Sequence, residues 1–184
     1  MAAAMRLAGD LRNKHVLISG AGMLGIVGSA MASSLGAKTV SSLDIDTDRL
    51  TISKVFGSNY TGNNVSEFNR KFDIIIETSG VPEVMTSSLQ QVEIGGVAVW
   101  LGAVFPQADL KINAEFIVRN LITIKGLHNY NDFDLISAVD FIERHINVFD
   151  FEKLIEGDFN LQSVNEAFDY AVDQNPYRVG IAIA

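Results

Sequence analysis

The 184-residue chain contains no cysteine, three prolines, three histidines and one tryptophan. Without cysteine it forms no disulfide and no zinc site built on thiolates, which suits a reducing compartment, so a cytoplasmic location is expected. No apolar run approaches the roughly 18 residues of a membrane span. The N-terminal "MAAAMRLAGD" meets charge at Arg6 and Asp10, too early for a secretory apolar core, so neither export nor membrane insertion is expected. Basic residues are in deficit, with 14 Lys and Arg against 22 Asp and Glu and a net charge of −8. The few there are lie scattered, which argues against a nucleic-acid surface, because phosphate binding needs clustered cations. Internal repeats, low-complexity segments and charge runs are also missing.

What is present is ordinary globular material: 48% hydrophobic and 20% charged residues, enough to bury well over half of the unfolded surface within a single domain over residues 1–184. From Lys14 to about Asn129, short β-rich runs alternate with helical segments, the pattern of a parallel sheet with helices on its faces. "HVLISG" (15–20), "TVSSLDI" (39–45), "FDIIIETSG" (72–80), "VAVWLGAV" (97–104) and "LITIKGL" (121–127) read as strands, with "NYTG" (59–62) a weaker sixth. Leu24, Val27, Met31 and Leu35 mark the apolar face of a first helix, and Val84, Leu89 and Val92 that of another. Pro82 falls in the first turn of the second helix, and Gly95-Gly96 is the expected stop after it. "FPQADLKINAEF" (105–116) reads as a loop with a short helix near its end. A helix follows over 132–145 with Asp132 as N-cap. Residues 146–184 form a tail of different texture, with a helix capped by Ser163 and Glu166 and a terminal strand "YRVGIAIA".

Gly20, Gly22 and Gly25 form G-x-G-x-x-G between a strand and a helix. In that setting Gly20 permits the tight turn, Gly22 lets backbone approach a pyrophosphate, and Gly25 lets the helix lie close on the sheet. Met23 and Leu24, inside the motif, contribute N–H groups at the helix N-terminus, where phosphates bind. A tight turn without a ligand would use the same glycines, but the strand-then-helix context favours a dinucleotide. Asp44, 19 residues after Gly25 at the end of the second strand, is placed to accept both ribose hydroxyls of an adenosine. A 2′-phosphate would set negative charge against it, so NAD is expected in preference to NADP. Asp44 and Asp46 compete for two tasks, binding the ribose and capping the helix near Thr47. "ETSG" (77–80), with Thr78, Ser79 and Gly80, and "LGAV" (101–104), with Leu101, Gly102 and Ala103, end strands with small residues, where an open parallel sheet keeps its ligand crevice. Glu77 reads as a solvated strand-end carboxylate.

With these residues in place, the sequence resembles the cofactor-binding domain of zinc-type, medium-chain alcohol dehydrogenases. "GDLRNKHVLISGAGMLG", "SLDIDTDRL", "FDIIIETSGVPEV", "GGVAVWLGA", "LITIKGLHNY" and "NEAFDYAVDQNPYRVGIAI" occur in that family's order and spacing. The resemblance implies a Rossmann-type, doubly wound, six-stranded parallel sheet with helices on both faces. It also implies Arg49 flanking the adenosine ribose and Arg178 reaching a cofactor phosphate, and "GLHNY" (126–130) is similar to a subgroup linked with phosphonate breakdown. The tail 146–184 would pack on the family's zinc-bearing catalytic domain, whose ligands this sequence does not contain. His15, His128 and His145 make no ligand spacing, so neither a metal site nor a catalytic residue is expected in this chain. The expected function is an NAD(H)-binding domain of an alcohol dehydrogenase-like oxidoreductase, inactive alone, with a separate catalytic domain as a candidate partner; a free-standing NAD-binding sensor is the alternative. A self-sufficient short-chain reductase is disfavoured, because Tyr60, Tyr130, Tyr170 and Tyr177 are followed four residues on by Asn64, Asp134, Gln174 and Ile181 rather than lysine. A methyltransferase is disfavoured by Leu24. The apolar strand within "NLITIKGLHN" (120–129), expected at the sheet edge, predicts a homodimer.

Overall fold

A computed structural model describes residues 1–183. The chain divides into two compact units, Met1–Ile142 and Glu143–Ala184. Helix α1 (Ala2–Ala8) is followed by β1 (His15–Ser19), α2 (Met23–Ser34), β2 (Thr39–Leu43), α3 (Thr47–Val55), β3 (Tyr60–Gly62), β4 (Phe72–Glu77), α4 (Pro82–Leu89), β5 (Val92–Trp100), α5 (Ala114–Arg119), β6 (Thr123–Gly126) and α6 (Asp132–His145), near whose end the boundary falls. The six strands pair in parallel in the order β3-β2-β1-β4-β5-β6, flanked by helices, as the alternating pattern predicts, and in the doubly wound arrangement that the resemblance implies. The order reverses beside β1, so β1 and β4 lie side by side, with Ser19 opposite Glu77.

The central strands are buried on both faces, which explains why β1 and β4 carry near-continuous apolar runs rather than alternation. Val16, Leu17 and Ile18 are fully buried. On one face Leu17, Leu43, Phe72, Ile75, Leu89 and Ala98 form a cluster on which Val84 and Trp100 pack.

Several local expectations need correction. The buried residues of α2 are Gly25, Ile26, Gly28, Ser29, Ala30, Met31 and Ala32; Met31 faces inward as expected, whereas Leu24 and Leu35 are 44% and 45% exposed. Small residues win because the helix lies close on the sheet: a Cβ at Gly25 would stand 1.8 Å from the Gly20 carbonyl oxygen. Helix α4 buries Met85, Ser88 and Leu89, and Val92 already belongs to β5. Gly95 and Gly96 do not stop α4, which ends at Gln90; they sit inside β5 at an irregularity where Phe72–Ile74 of β4 faces Val92–Val97. Gly95 has φ +75°, and a Cβ at Gly96 would meet the Asp73 carbonyl oxygen at 2.8 Å, so both are bulge glycines. Strand β6 is shorter than the run 120–129, because Leu121 adopts φ +52° and Ile122 is buried.

Asn131, not Asp132, caps α6: its Oδ1 accepts the Asp134 N–H at 2.9 Å while Asp134 Oδ2 accepts the Asn131 N–H at 3.1 Å. Arg6 Nε donates to Asp134 Oδ1 at 2.7 Å, linking α6 to α1, a helix that the sequence reading leaves unassigned.

In the second unit, a short strand β7 (Glu156–Asn160) pairs in parallel with β8 (Val179–Ala182), and α7 (Val164–Gln174) lies between them in sequence. Asn160 caps the turn preceding α7, accepting N–H groups from Gln162 and Ser163, while Ser163 makes no cap to α7 itself. Phe159 and Tyr170 pack with ring centroids 5.5 Å apart, and Tyr170 donates to Glu156 Oε2 at 3.0 Å.

Candidate functional site

Strand β1 runs straight into the glycine loop. Gly20, at φ +96°, donates its N–H to the Leu43 carbonyl at 2.8 Å, which turns the chain across the end of β2. Gly22 is the N-cap of α2 and supplies no side-chain cap, so the first N–H groups of this 12-residue helix, with Met23 and Leu24 in its first turn, are left to another partner. The contact between Gly25 and Gly20 admits no Cβ, and neither does Gly20 itself, where a Cβ would lie 2.8 Å from Thr78 Oγ1. Thr78 reaches back from β4, donating towards the Ser19 and Gly20 carbonyls at 2.9 and 3.1 Å.

Asp44 lies just past β2. Its Oδ2 accepts the Ala21 N–H at 2.5 Å and its Oδ1 the Asp46 N–H at 2.9 Å. Asp46 takes the capping role at α3, accepting the N–H groups of Asp48 and Arg49 at 2.9 and 3.1 Å. The two acids therefore divide the tasks that the sequence left open. Arg49 Nε lies 3.6 Å from Asp46 Oδ2, and its Nη1 is the nearest atom to a Cβ built on Gly22, at 3.8 Å.

A cavity of about 570 Å³ runs along these strand ends. Of the anticipated residues, Gly20, Gly22, Asp44, Arg49, Thr78 and Ser79 line it together. Met23, Leu24, Gly25, Gly80, Leu101, Gly102 and Ala103 do not line it; Gly25 and Gly80 shape its walls by close packing. Gly80, at φ +69°, and Gly102 meet so tightly that a Cβ on Gly102 would stand 2.1 Å from the Gly80 nitrogen. Arg178 belongs to the second unit, where its Nη1 donates to the Tyr177 carbonyl at 2.7 Å. The sequence reading missed Asn63, Asn64, Val65, Val84 and Ser87, which also line the cavity. The signal for Asn63, Asn64 and Val65 is "NYTG" itself, since a strand beside β2 must bring its carboxyl end to the same crevice, whereas Val84 and Ser87 come from α4. Asn63 Nδ2 donates to the Asp44 and Ile45 carbonyls at 3.0 and 3.2 Å, tying β3 to β2 there.

Glu77 is not solvated. It is fully buried, and its Oε1 accepts the Ser79 N–H at 2.8 Å, the Ser79 hydroxyl and the Gly80 N–H at 3.1 Å. Burial pushes its carboxyl above the ordinary glutamate range, against the pull of these N–H and O–H donors. Among the described residues no three His, Cys, Asp or Glu side chains gather into a metal site, and no helix is long and apolar enough to cross a membrane.

The fold and its glycine-cornered crevice define a doubly wound α/β domain of the dehydrogenase kind. The chain belongs to the family described as glucose dehydrogenase C-terminus, matched over residues 1–176, the C-terminal part of zinc-type medium-chain alcohol dehydrogenases. It is 31% identical over 169 residues to L-threonine 3-dehydrogenase of Colwellia psychrerythraea, covering 80% of this chain and 49% of that protein. An alcohol dehydrogenase of Thermotoga maritima superposes with a TM-score of 0.90 at 24% identity, over 98% of this chain and 53% of that one. Two further structures carry cofactors. An alcohol dehydrogenase of Escherichia coli CFT073 is complexed with NADH (TM-score 0.84, 20% identity, 99% of this chain and 56% of that one). A zinc-binding dehydrogenase of Sinorhizobium meliloti is bound to NADP (TM-score 0.77, 20% identity, 89% and 51%). The chain spans about half the length of these proteins.

Proposed function

We propose that this chain is the NAD(H)-binding part of an alcohol dehydrogenase-like oxidoreductase. The observation that carries the reading is the joint held by Ala21: the glycine loop at the end of β1 and the acid at the end of β2 form one hydrogen-bonded corner, Asp44 Oδ2 to Ala21 N–H at 2.5 Å. Backbone N–H groups at the start of α2 suit a pyrophosphate, and the Asp44 carboxylate suits an unphosphorylated ribose diol and opposes a 2′-phosphate. Arg49 stands close enough to the glycine loop to flank either group. The cavity lies within the usual ligand-site range of about 300–1,000 Å³. Cofactor affinity, measured by titrating NADH and NADPH into the purified chain, tests the reading.

The residues present do not fit a zinc site, so the chain alone is expected to bind cofactor without oxidising an alcohol. In such a dehydrogenase these residues hold the dinucleotide so that its ring can accept a hydride, while other polypeptide holds the alcohol. That polypeptide, whether separate or continuous, is a partner in this reading, and the tail from residue 146 is the segment expected to pack on it. No appearance of NADH from NAD and L-threonine or ethanol is the expected assay result; steady turnover by the isolated chain would contradict it.

Self-association through the β6 edge belongs to the same reading. The edge is outermost in the sheet, Thr123 is exposed, and Leu121 and Val118 beside it are 71% and 73% exposed. Lys125, the edge's only cation, is turned back to the Leu7 carbonyl at 2.7 Å and so does not guard it. Ile122 is a core residue, which makes Leu121→Lys a better probe than a charge at Ile122. A dimer by light scattering that Leu121→Lys dissociates is expected; a monomer at micromolar concentration refutes the assembly.

A further inference from the structure

Glu77 is the one fully buried ionisable side chain that the adenosine and pyrophosphate sites leave without a task, among the described residues. We infer that it is a positioning residue for the ring half of the cofactor, clamping together the two turns, 78–80 and 101–103, on which that half would rest. The inference rests on the cofactor reading above and extends it to a residue that would touch no ligand.

The sheet order fixes which half lies where. If the ribose of the adenosine sits at the end of β2 and the pyrophosphate at the end of β1, a dinucleotide crossing the carboxyl edge continues over the next strands, β4 and β5. Neighbouring strands are only about 4.8 Å apart, so the ring end reaches these turns within two strand spacings. Residue 77 stands where they meet, paired with Ser19 on one side and Trp100 on the other.

It holds both turns, each with a different part of itself. Its main-chain carbonyl accepts the Leu101 N–H at 2.9 Å and the Gly102 N–H at 3.2 Å. Its carboxylate gathers the Ser79 N–H, the Ser79 hydroxyl and the Gly80 N–H, the last shared between Oε1 at 3.1 Å and Oε2 at 3.2 Å. Gly80 and Gly102, with no room for a Cβ between them, close the joint. Oε1 meets all three donors, and Oε2 supports it at the Gly80 N–H. A glutamine is isosteric, yet its NH₂ would face the Gly80 N–H donor to donor, opening the turn without leaving a cavity.

The test separates the two halves of the ligand. AMP engages the β2 and β1 ends alone, whereas NADH needs the β4 and β5 turns as well. With Glu77→Gln the dissociation constant for NADH should rise at least tenfold while that for AMP changes less than twofold. Ser79→Ala, which removes one donor from the carboxylate and leaves the buried side chain in place, should give a smaller rise, about threefold, with AMP again unchanged; it serves if Glu77→Gln does not fold. Parallel loss of AMP and NADH affinity, or no change in either, overturns the positioning role. An unmutated chain that binds neither ligand overturns the cofactor reading itself, and the inference with it.

Discussion

Asp44 and Ala21, 23 residues apart, share a 2.5 Å hydrogen bond from the Ala21 N–H to Asp44 Oδ2. The acid therefore has two jobs that substitutions can separate. Asp44→Asn keeps an acceptor for Ala21 but turns its NH₂ to the Asp46 N–H and loses the charge that opposes a 2′-phosphate. Asp44→Ala loses both. The expected result is that both variants narrow the preference for NADH over NADPH, by about tenfold or ~1.4 kcal/mol. Asp44→Ala, which frees both the Ala21 and the Asp46 N–H groups, should lower the melting temperature more than Asp44→Asn, which frees one. An unchanged cofactor preference in both would remove Asp44 from the ribose site.

Two glycines of α2 make a paired prediction. A Cβ at Gly25 would strike backbone, the Gly20 carbonyl oxygen at 1.8 Å, whereas one at Gly28 would meet the flexible end of Met1, its Cε, at 3.1 Å. Gly25→Ala should cost about 2 kcal/mol or more, in the range of overpacked interiors. Gly28→Ala, in a helix interior where alanine is preferred, should be near neutral. Thermal unfolding of the two variants decides, and equal melting temperatures would show that the glycine loop yields more easily than its geometry implies.

At the opposite end of the sheet, His15 Nδ1 lies 2.7 Å from Thr39 Oγ1 and 3.0 Å from Arg70 Nη1. A guanidinium can only donate, so this nitrogen is an acceptor and the ring is neutral. Burial, then the nearby Arg70 and Lys38 charges, lower the His15 pKa, with Asp73 opposing them. The unfolded chain takes up its histidine proton from about pH 6.5 downward, while the folded chain resists until a lower pH. Stability therefore falls as pH drops below that of the free imidazole, and levels off once the folded histidine also protonates. Melting temperatures between about pH 5 and 7 should slope less steeply in His15→Ala than in the unmutated chain. Matching slopes would rule out His15 as their source.

The alternation of strand and helix and the G-x-G-x-x-G spacing carried the sheet and the glycine corner into view, because both depend on short-range pattern. What failed depended on distance. The inward face of α2 is mostly glycine, serine and alanine around Ile26 and Met31, since closeness to the sheet outweighs side-chain size, and a hydrophobic periodicity looks for leucine. Glu77 reads as a surface acid until the turns after β4 and β5 fold over it with their N–H groups. Gly95-Gly96 has the composition of a helix stop, but its role as a bulge arises only from pairing with β4. Asn63 and Asn64 enter the crevice because β3 joins the sheet beside β2, which the weak strand "NYTG" signals only once its place in the sheet order is known.

The central claim, an NAD-type crevice built around the corner of Asp44 and the glycine loop, is tested most directly by titrating the purified chain with NADH and with NADPH in a calorimeter under one set of conditions. Saturable NADH binding is expected, with a dissociation constant of about 10 µM to 1 mM, weak because other polypeptide would complete the cleft, and weaker NADPH binding. Tighter binding of NADPH, or no saturable binding of NADH up to several millimolar, would contradict it.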